Sequence, residues 1–201
     1  MPPAQTRSQI LSLAEAHMMR GGYGAFSFGD IARVLGVKPA AIHYHFPSKA
    51  DLALAVIEGY GHRFEAWAAS TRDLPPAERL LAYFEIGRRF AAQGLVCPLT
   101  LVIAQQEAVP ESVVVAVRGV QEQILAFYTE TLEAARRSGA AHFSGAAEDQ
   151  GALIGCALIG AQLLARVQGP AVFETLLRQQ AGAIGLHAPW PPLPPPVEAS
   201  P

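Results

Sequence analysis

Two cysteines and a His-Tyr-His run are the residues whose types invite chemistry. Cys97 stands in Gly94-Leu95-Val96-Cys97-Pro98-Leu99, just ahead of a helix that Pro98 opens. The amides at a helix N-terminus stabilise thiolate and lower a thiol pKa, so Cys97 is either a reactive thiol or a buried, inert one. Cys156 lies mid-helix among apolar neighbours, which reads as inert. The two cysteines are far apart and make no metal-ligand spacing with a histidine pair. His43 and His45 are two residues apart and point to different faces of a helix, which argues against a metal pair. No Ser/His/Asp or Cys/His constellation can be pointed to. Gly21-Gly22-Tyr23-Gly24 lacks the preceding strand that a dinucleotide loop needs. The chain reads as a non-enzyme with no cofactor and no metal.

The elements that position these residues are helices throughout. The 201 residues are 51% hydrophobic and 16% charged, enough to bury a core without disulfide staples. Apolar residues recur at helical spacing almost everywhere, with no stretch of strict alternation. Glycines and prolines divide the chain into nine helices. The first runs from about 6 to 19 and ends at Gly21-Gly22. Ser27 opens 28–35, with Asp30 at its third position beside the positive helix end, and Gly36 ends it. Pro39 opens another short helix at a position where a missing N–H costs nothing. Ser48-Lys49-Ala50-Asp51 is a capping-box-like start to a helix reaching about residue 70. Further helices span 76–92, 98–107, 110–137, 145–167 and 170–185. Pro75-Pro76 marks a hinge, and the tail 189–201, with seven prolines, is expected to lack fixed structure.

Met1–Arg20 is polar and shows no signal-peptide pattern. The longest uncharged runs, Phe90–Gln106 and Gln150–Ala165, carry Gln and are near or below membrane-spanning length. A reduced, cytoplasmic chain with no membrane partner is the expectation. Residues 1–63 carry six basic and four acidic side chains, the remainder nine and thirteen. A basic first third on an acidic remainder suits an anionic partner for that third.

Residues 28–47 have the spacing of a helix-turn-helix. Ile31 and Leu35 give the first short helix an apolar face, Ala32 is small where a second helix approaches, and Gly36 sits where the turn needs a positive φ. Val37 and Ile42 point back into the core. A major-groove reader needs such a pair, with one helix projecting its outer face. Spacing alone also fits an ordinary helical hairpin.

The run Ile42-His43-Tyr44-His45-Phe46-Pro47-Ser48-Lys49 resembles the end of the DNA-reading helix and the start of the next helix in TetR-type transcriptional regulators. The likeness extends from Arg7 through Ile10, Ala14, Gly21-Gly22-Tyr23, Phe28, Ile31-Ala32 and Gly36-Val37 to Leu52 and Leu54. It implies an all-α fold of about nine helices: a three-helix DNA-binding domain over 1–50, a ligand-binding and dimerisation domain over 51–188, and the tail 189–201. It also implies roles for particular side chains. Tyr44, His45 and Lys49 match the family's phosphate-contacting positions, and Arg7 and Ser27 add contacts to a neighbouring phosphate. Lys38, Pro39, Ala40, Ala41 and His43 occupy the face that meets base edges. Lys38 replaces the family's frequent Ser or Thr and His43 its frequent Tyr. Lys38 could thus reach a guanine or a phosphate, and His43 could donate or accept. The other reading of His43 and His45 is a partly buried pair satisfying backbone groups.

In the remainder, Gly151–Ala161 is crowded with small residues. Each glycine costs a helix about 1 kcal/mol relative to Ala, which close helix packing would offset. By the resemblance, 145–167 and 170–185 pair between two copies through Leu158, Ala161, Leu164, Ala165, Phe173 and Leu177. Phe84, Phe90, Cys97, Leu101, Gln105, Phe127, Tyr128 and Leu153 are the candidate ligand-lining residues, with Gln105 and Tyr128 as polar anchors. Some members of the family have a similar Gly-Cys-Pro/Leu-Leu stretch at this junction, and some members sense electrophiles or oxidants through cysteine. The expected partners are double-stranded DNA, a second copy of the chain and a small-molecule effector. The function expected is that of a homodimeric repressor on a palindromic operator, released by a small molecule or by cysteine modification. The competing reading is a helical small-molecule-binding protein with no DNA role.

Overall fold

The computed structural model describes residues 3–186, so the proline-rich tail lies outside the described residues. Those residues form α1 (Pro3–Gly21), α2 (Phe28–Leu35), α3 (Pro39–His45), α4 (Lys49–Ser70), α5 (Pro76–Ala92), α6 (Pro98–Ala104), α7 (Glu111–Arg137), α8 (Ala147–Gln168) and α9 (Pro170–Ala183). Short 3-10 turns follow α1 at Tyr23–Ala25 and α6 at Gln106–Ala108. Among the described residues there are nine α-helices and no strand, as the periodicity predicts. Pro39, Pro76, Pro98 and Pro170 each occupy a first helical position, where the fixed φ of proline is already helical.

The chain divides into two compact units. Among the described residues the first comprises 3–64 and Pro98–Gln121, the second Glu65–Cys97 and 122–186. This differs from the break after residue 50 suggested by the sequence. In the first unit α6 packs against α1, and the Gln105 side-chain amide just beyond α6 donates to the Gly21 carbonyl at 3.1 Å. Its core holds Ile10, Ala14 and Met18, one face of α1 at i, i+4, i+8, with Ile31, Ile42, Leu52, Ile57 and Leu99, all fully buried. Each large side chain so buried contributes about 1.5–3 kcal/mol.

The second unit is built on α5, α8, α9 and most of α7. Phe84, Leu80, Leu132, Ile154 and Phe173 are fully buried there. A Cβ on Gly87 would lie 2.8 Å from Cζ of Phe173, so the ring of α9 seats against bare α5 backbone. Gly151 does the same for α7, because its Cβ would stand 2.8 Å from that of Tyr128. Close helix packing is therefore what compensates these glycines, and it operates within one chain. Arg88, fully buried, pairs with Glu85 on its own helix and Glu174 on α9. The helix α8 is long and apolar enough to cross a membrane by length and composition, but it packs against α9, and Leu158, Ala161 and Ala165 are among its buried residues.

Candidate nucleic-acid interface

Ser27 starts α2 with a full capping box. Its hydroxyl accepts from the Asp30 amide at 3.2 Å, and its own amide donates to the Asp30 carboxylate at 3.0 Å. The Ser27 hydroxyl and amide hold the Asp30 carboxyl below its ordinary value of 3.8, with a smaller contribution from Arg33. Ser48 and Asp51 repeat the device at the start of α4, at 2.9 and 3.1 Å. Between them Gly36 ends α2 at φ 65°, its N–H directed to the carbonyls of Ala32 and Arg33. That is the left-handed turn read from the sequence.

The turn sets α3 with Ile42 fully buried and its opposite face outward. Lys38, Pro39, Ala40, His43 and Tyr44 are exposed, while Ala41 and His45 are half-buried. Tyr44 is 81% exposed, an unusual position for an aromatic ring, and stands edge-on to the His45 ring at 5.2 Å. His43 packs edge-on against Phe28 at 4.6 Å, with Nδ1 3.3 Å from the Pro47 carbonyl oxygen. Phe46 turns into the core under the Arg7 guanidinium, 5.0 Å from its ring centroid.

Lys49 is the least expected arrangement. Its ammonium lies 4.6 Å from the Tyr23 ring and 4.7 Å from the Phe26 ring. Burial there pushes its pKa down, with Asp30 opposing. The negative ring faces offset part of the lost hydration. Neither Tyr23 nor Phe26 was among the residues expected from the sequence to contact DNA, although Gly21-Gly22-Tyr23 is part of the family likeness. All ten residues nominated for DNA contact fall in the first unit, on α1, α3, and the starts of α2 and α4. The structure adds that the Ser27 hydroxyl and amide are both already engaged by Asp30.

The residues nominated for a ligand are divided. Leu101 and Gln105 belong to the first unit, where Gln105 is bonded to the Gly21 carbonyl. In the second unit Phe84, Phe127 and Tyr128 are buried, Phe90 and Cys97 half-buried, and Leu153 is 60% exposed on α8. Phe127 and Tyr128 join Trp67 and Tyr83 in a cluster with centroids 5.3–5.9 Å apart. Trp67 and Tyr83 were not in the sequence set. The Tyr83 and Tyr128 hydroxyls are hydrogen-bonded, and burial raises both phenols above the ordinary tyrosine value. The charge of a Cys97 thiolate would raise both further. The Cys97 amide donates to the Gln162 side chain at 3.0 Å. Cys156 is exposed on α8 rather than enclosed by apolar neighbours.

The residues nominated for a dimer are mostly used inside the protomer. Leu158, Ala161, Ala165, Phe173 and Leu177 are buried, and only Leu164 is exposed. The exposed apolar side chains of α8 and α9 are instead Leu153, Leu163, Leu164, Val167 and Leu176. Among the described residues no group of three or more His, Cys, Asp or Glu could hold a metal ion.

A projecting helix on a left-handed glycine turn, between two capped helix starts, defines a helix-turn-helix protein. The family described as bacterial regulatory proteins, tetR family, matches residues 10–56. A TetR-family transcriptional regulator from Agrobacterium tumefaciens is 31% identical, with a TM-score of 0.86 over 91% of this chain and 99% of that one. A TetR regulator from Legionella pneumophila is 27% identical, with a TM-score of 0.79 over 88% and 95%. The HTH-type transcriptional regulator TtgR of Pseudomonas putida is 37% identical over 54 residues, 27% of this chain. That match spans about a quarter of the curated relative, 26%. The chain belongs to the TetR family of transcriptional regulators, which is not a family of enzymes.

Proposed function

We propose that the chain works as a homodimeric repressor, reading a two-fold symmetric operator with α3. The observation that carries this is the outward face of α3. Five consecutive or near-consecutive side chains from Lys38 to Tyr44 stand exposed while Ile42 alone anchors the helix. Tyr44, His45 and Lys49 supply a hydroxyl, a ring N–H and an ammonium to phosphate, Arg7 adds a guanidinium, and Lys38, Pro39, Ala40, Ala41 and His43 meet base edges. For Ser27, whose own groups are engaged, the contact falls to the free amides that follow it in α2.

Two copies meet through the exposed apolar side chains of α8 and α9, with Leu164 among them. They hold two α3 helices roughly 34–36 Å apart, one turn of DNA. A small molecule entering at Tyr83, Phe127 and Tyr128, or modification of Cys97 in the same unit, favours a different spacing and releases the operator. Such an effector acts only through its differential affinity for the two states. The setting is the cytoplasm, where the thiols are kept reduced.

Selection from random double-stranded DNA with the reduced protein tests this reading, beside a Tyr44→Ala/Lys49→Ala variant. Recovery of a symmetric site by the wild type alone is expected; no enrichment by the wild type would overturn it. Affinity for the selected site should fall roughly 10³–10⁵-fold between 50 and 200 mM salt if a dimer neutralises six to ten phosphates. Light scattering at micromolar concentration should give twice the chain mass. Cys97→Ser should abolish oxidant-induced release, and unchanged release would remove the thiol from the mechanism.

A further inference from the structure

We infer that His43 reads an amino-bearing base, adenine or cytosine, as a hydrogen-bond acceptor through Nε2. The inference rests on the DNA-reading role proposed above for α3 and assigns the side chain's chemistry within it.

The His43 ring is held at two points. Its Nδ1 lies 3.3 Å from the carbonyl oxygen of Pro47, and its plane meets the Phe28 ring at 71° with centroids 4.6 Å apart. A carbonyl oxygen can only accept, so Nδ1 must carry the proton of that bond. A neutral imidazole has one ring N–H, which leaves Nε2 with a lone pair. No described residue bonds Nε2, and His43 stands exposed on the face of α3 opposite buried Ile42. The Pro47 carbonyl is itself fixed in place. It sits between Phe46, buried in the core, and Ser48, locked into its capping box.

A fixed acceptor on a groove-reading face excludes one role and selects another. Phosphate oxygens are acceptors, so a neutral His43 in this tautomer gains nothing from the backbone. In the major groove adenine presents its N6 amino group and cytosine its N4 amino group as donors. Guanine O6 and thymine O4 are acceptors at the corresponding edge. An Nε2 lone pair therefore bonds an amino base and repels a keto base. Its complement on the other strand is then a keto base. Lys38, a donor only, has the opposite requirement, so the two side chains write opposite preferences into one half-site.

The test is site selection at pH 8 with the wild type, His43→Ala and His43→Arg, with Tyr44→Ala as a control on DNA binding itself. The wild type should show one position per half-site where A or C exceeds G or T by about five- to tenfold, the low end for a base contact because a single bond is made. His43→Ala should make that position indifferent and leave the rest of the site intact. His43→Arg, which can only donate, should turn it to G or T. Replacing a selected adenine by purine, or a selected cytosine by its counterpart lacking the N4 amino group, deletes only the donor. It should weaken the wild type about fivefold and leave His43→Ala unchanged. A site unaltered in His43→Ala, or a keto preference at the His43-dependent position, would overturn the assignment while leaving DNA binding standing. Failure of the wild type to select any site would overturn both.

Discussion

At the scale of single residues, the interface is held by charges placed against groups that are not their usual partners. Lys49 keeps its ammonium between two aromatic faces rather than beside a carboxylate. Replacing Tyr23 with Leu retains most of the bulk but removes one ring. We expect DNA affinity to fall about two- to fivefold, the worth of one partly exposed cation–π contact, with little change in melting temperature. Lys49→Met should lower the slope of log affinity on log salt by about 0.9 per subunit, a change that Tyr23→Leu should not reproduce. Asp30 carries a pH signature with a definite sign. Its carboxyl is held below its ordinary value by Ser27 and Arg33, so it adds stability above pH 3.8 that is lost as pH falls through the lowered folded value. Acid unfolding followed by circular dichroism should begin at higher pH in Ser27→Ala than in the wild type. Ser48 and Asp51 were legible in the sequence because a capping box is local. The Lys49 cage was not, since Tyr23 lies 26 positions earlier and only folding brings the two together.

At the scale of elements, the sequence foretold more than it did for sites. Proline and glycine punctuation placed the ends of α2, α5 and α9 and the start of α3 within a residue or two, because those residues act on φ and on the N–H locally. Glycines inside helices were harder, since what matters is the neighbour a Cβ would meet. Gly36→Ala puts a side chain at φ 65° with nothing within 4 Å; the cost is conformational alone, about 1–2 kcal/mol. Gly151→Ala gains helix propensity but drives a methyl toward Cβ of Tyr128 at 2.8 Å, for a net loss of about 1–2 kcal/mol. Gly119→Ala on α7 meets nothing within 4 Å and should gain about 0.5–1 kcal/mol. Thermal unfolding should place Gly119→Ala above the wild type and the other two variants below it.

At the scale of the whole molecule, the division of the chain was the least legible feature. Linear reading puts a boundary where composition changes, yet α6 and the start of α7 belong with the N-terminal helices. The side chain that marks this, Gln105, is one of the two polar ligand anchors expected from the sequence. Its amide instead caps the end of α1, and a Cβ on Gly22 would stand 2.4 Å from its Oε1. Gln105→Leu should lower stability by about 1 kcal/mol and speed hydrogen exchange across 22–25, where an effector-binding residue would leave exchange there unchanged. The aromatic cluster of the second unit escaped in part for a related reason. Trp67 lies beyond the stretch that carries the family likeness, Tyr83 stands beside Phe84, which the sequence set does include, and nothing local separates either from the other rings of the helical body.

The outward face of α3 holds a consequence for how such a protein changes its target. Lys38, Ala40 and Tyr44 are exposed, and Ile42 alone of this short helix is fully buried. On the proposed reading, the side chains that would choose the base sequence are not those that keep the chain folded. Substitutions at Lys38, Ala40 and Ala41 would then rewrite the operator while each intermediate variant still folds. A new DNA address would thus be reachable one residue at a time, by natural drift or at the bench, with the second compact unit carried along unaltered.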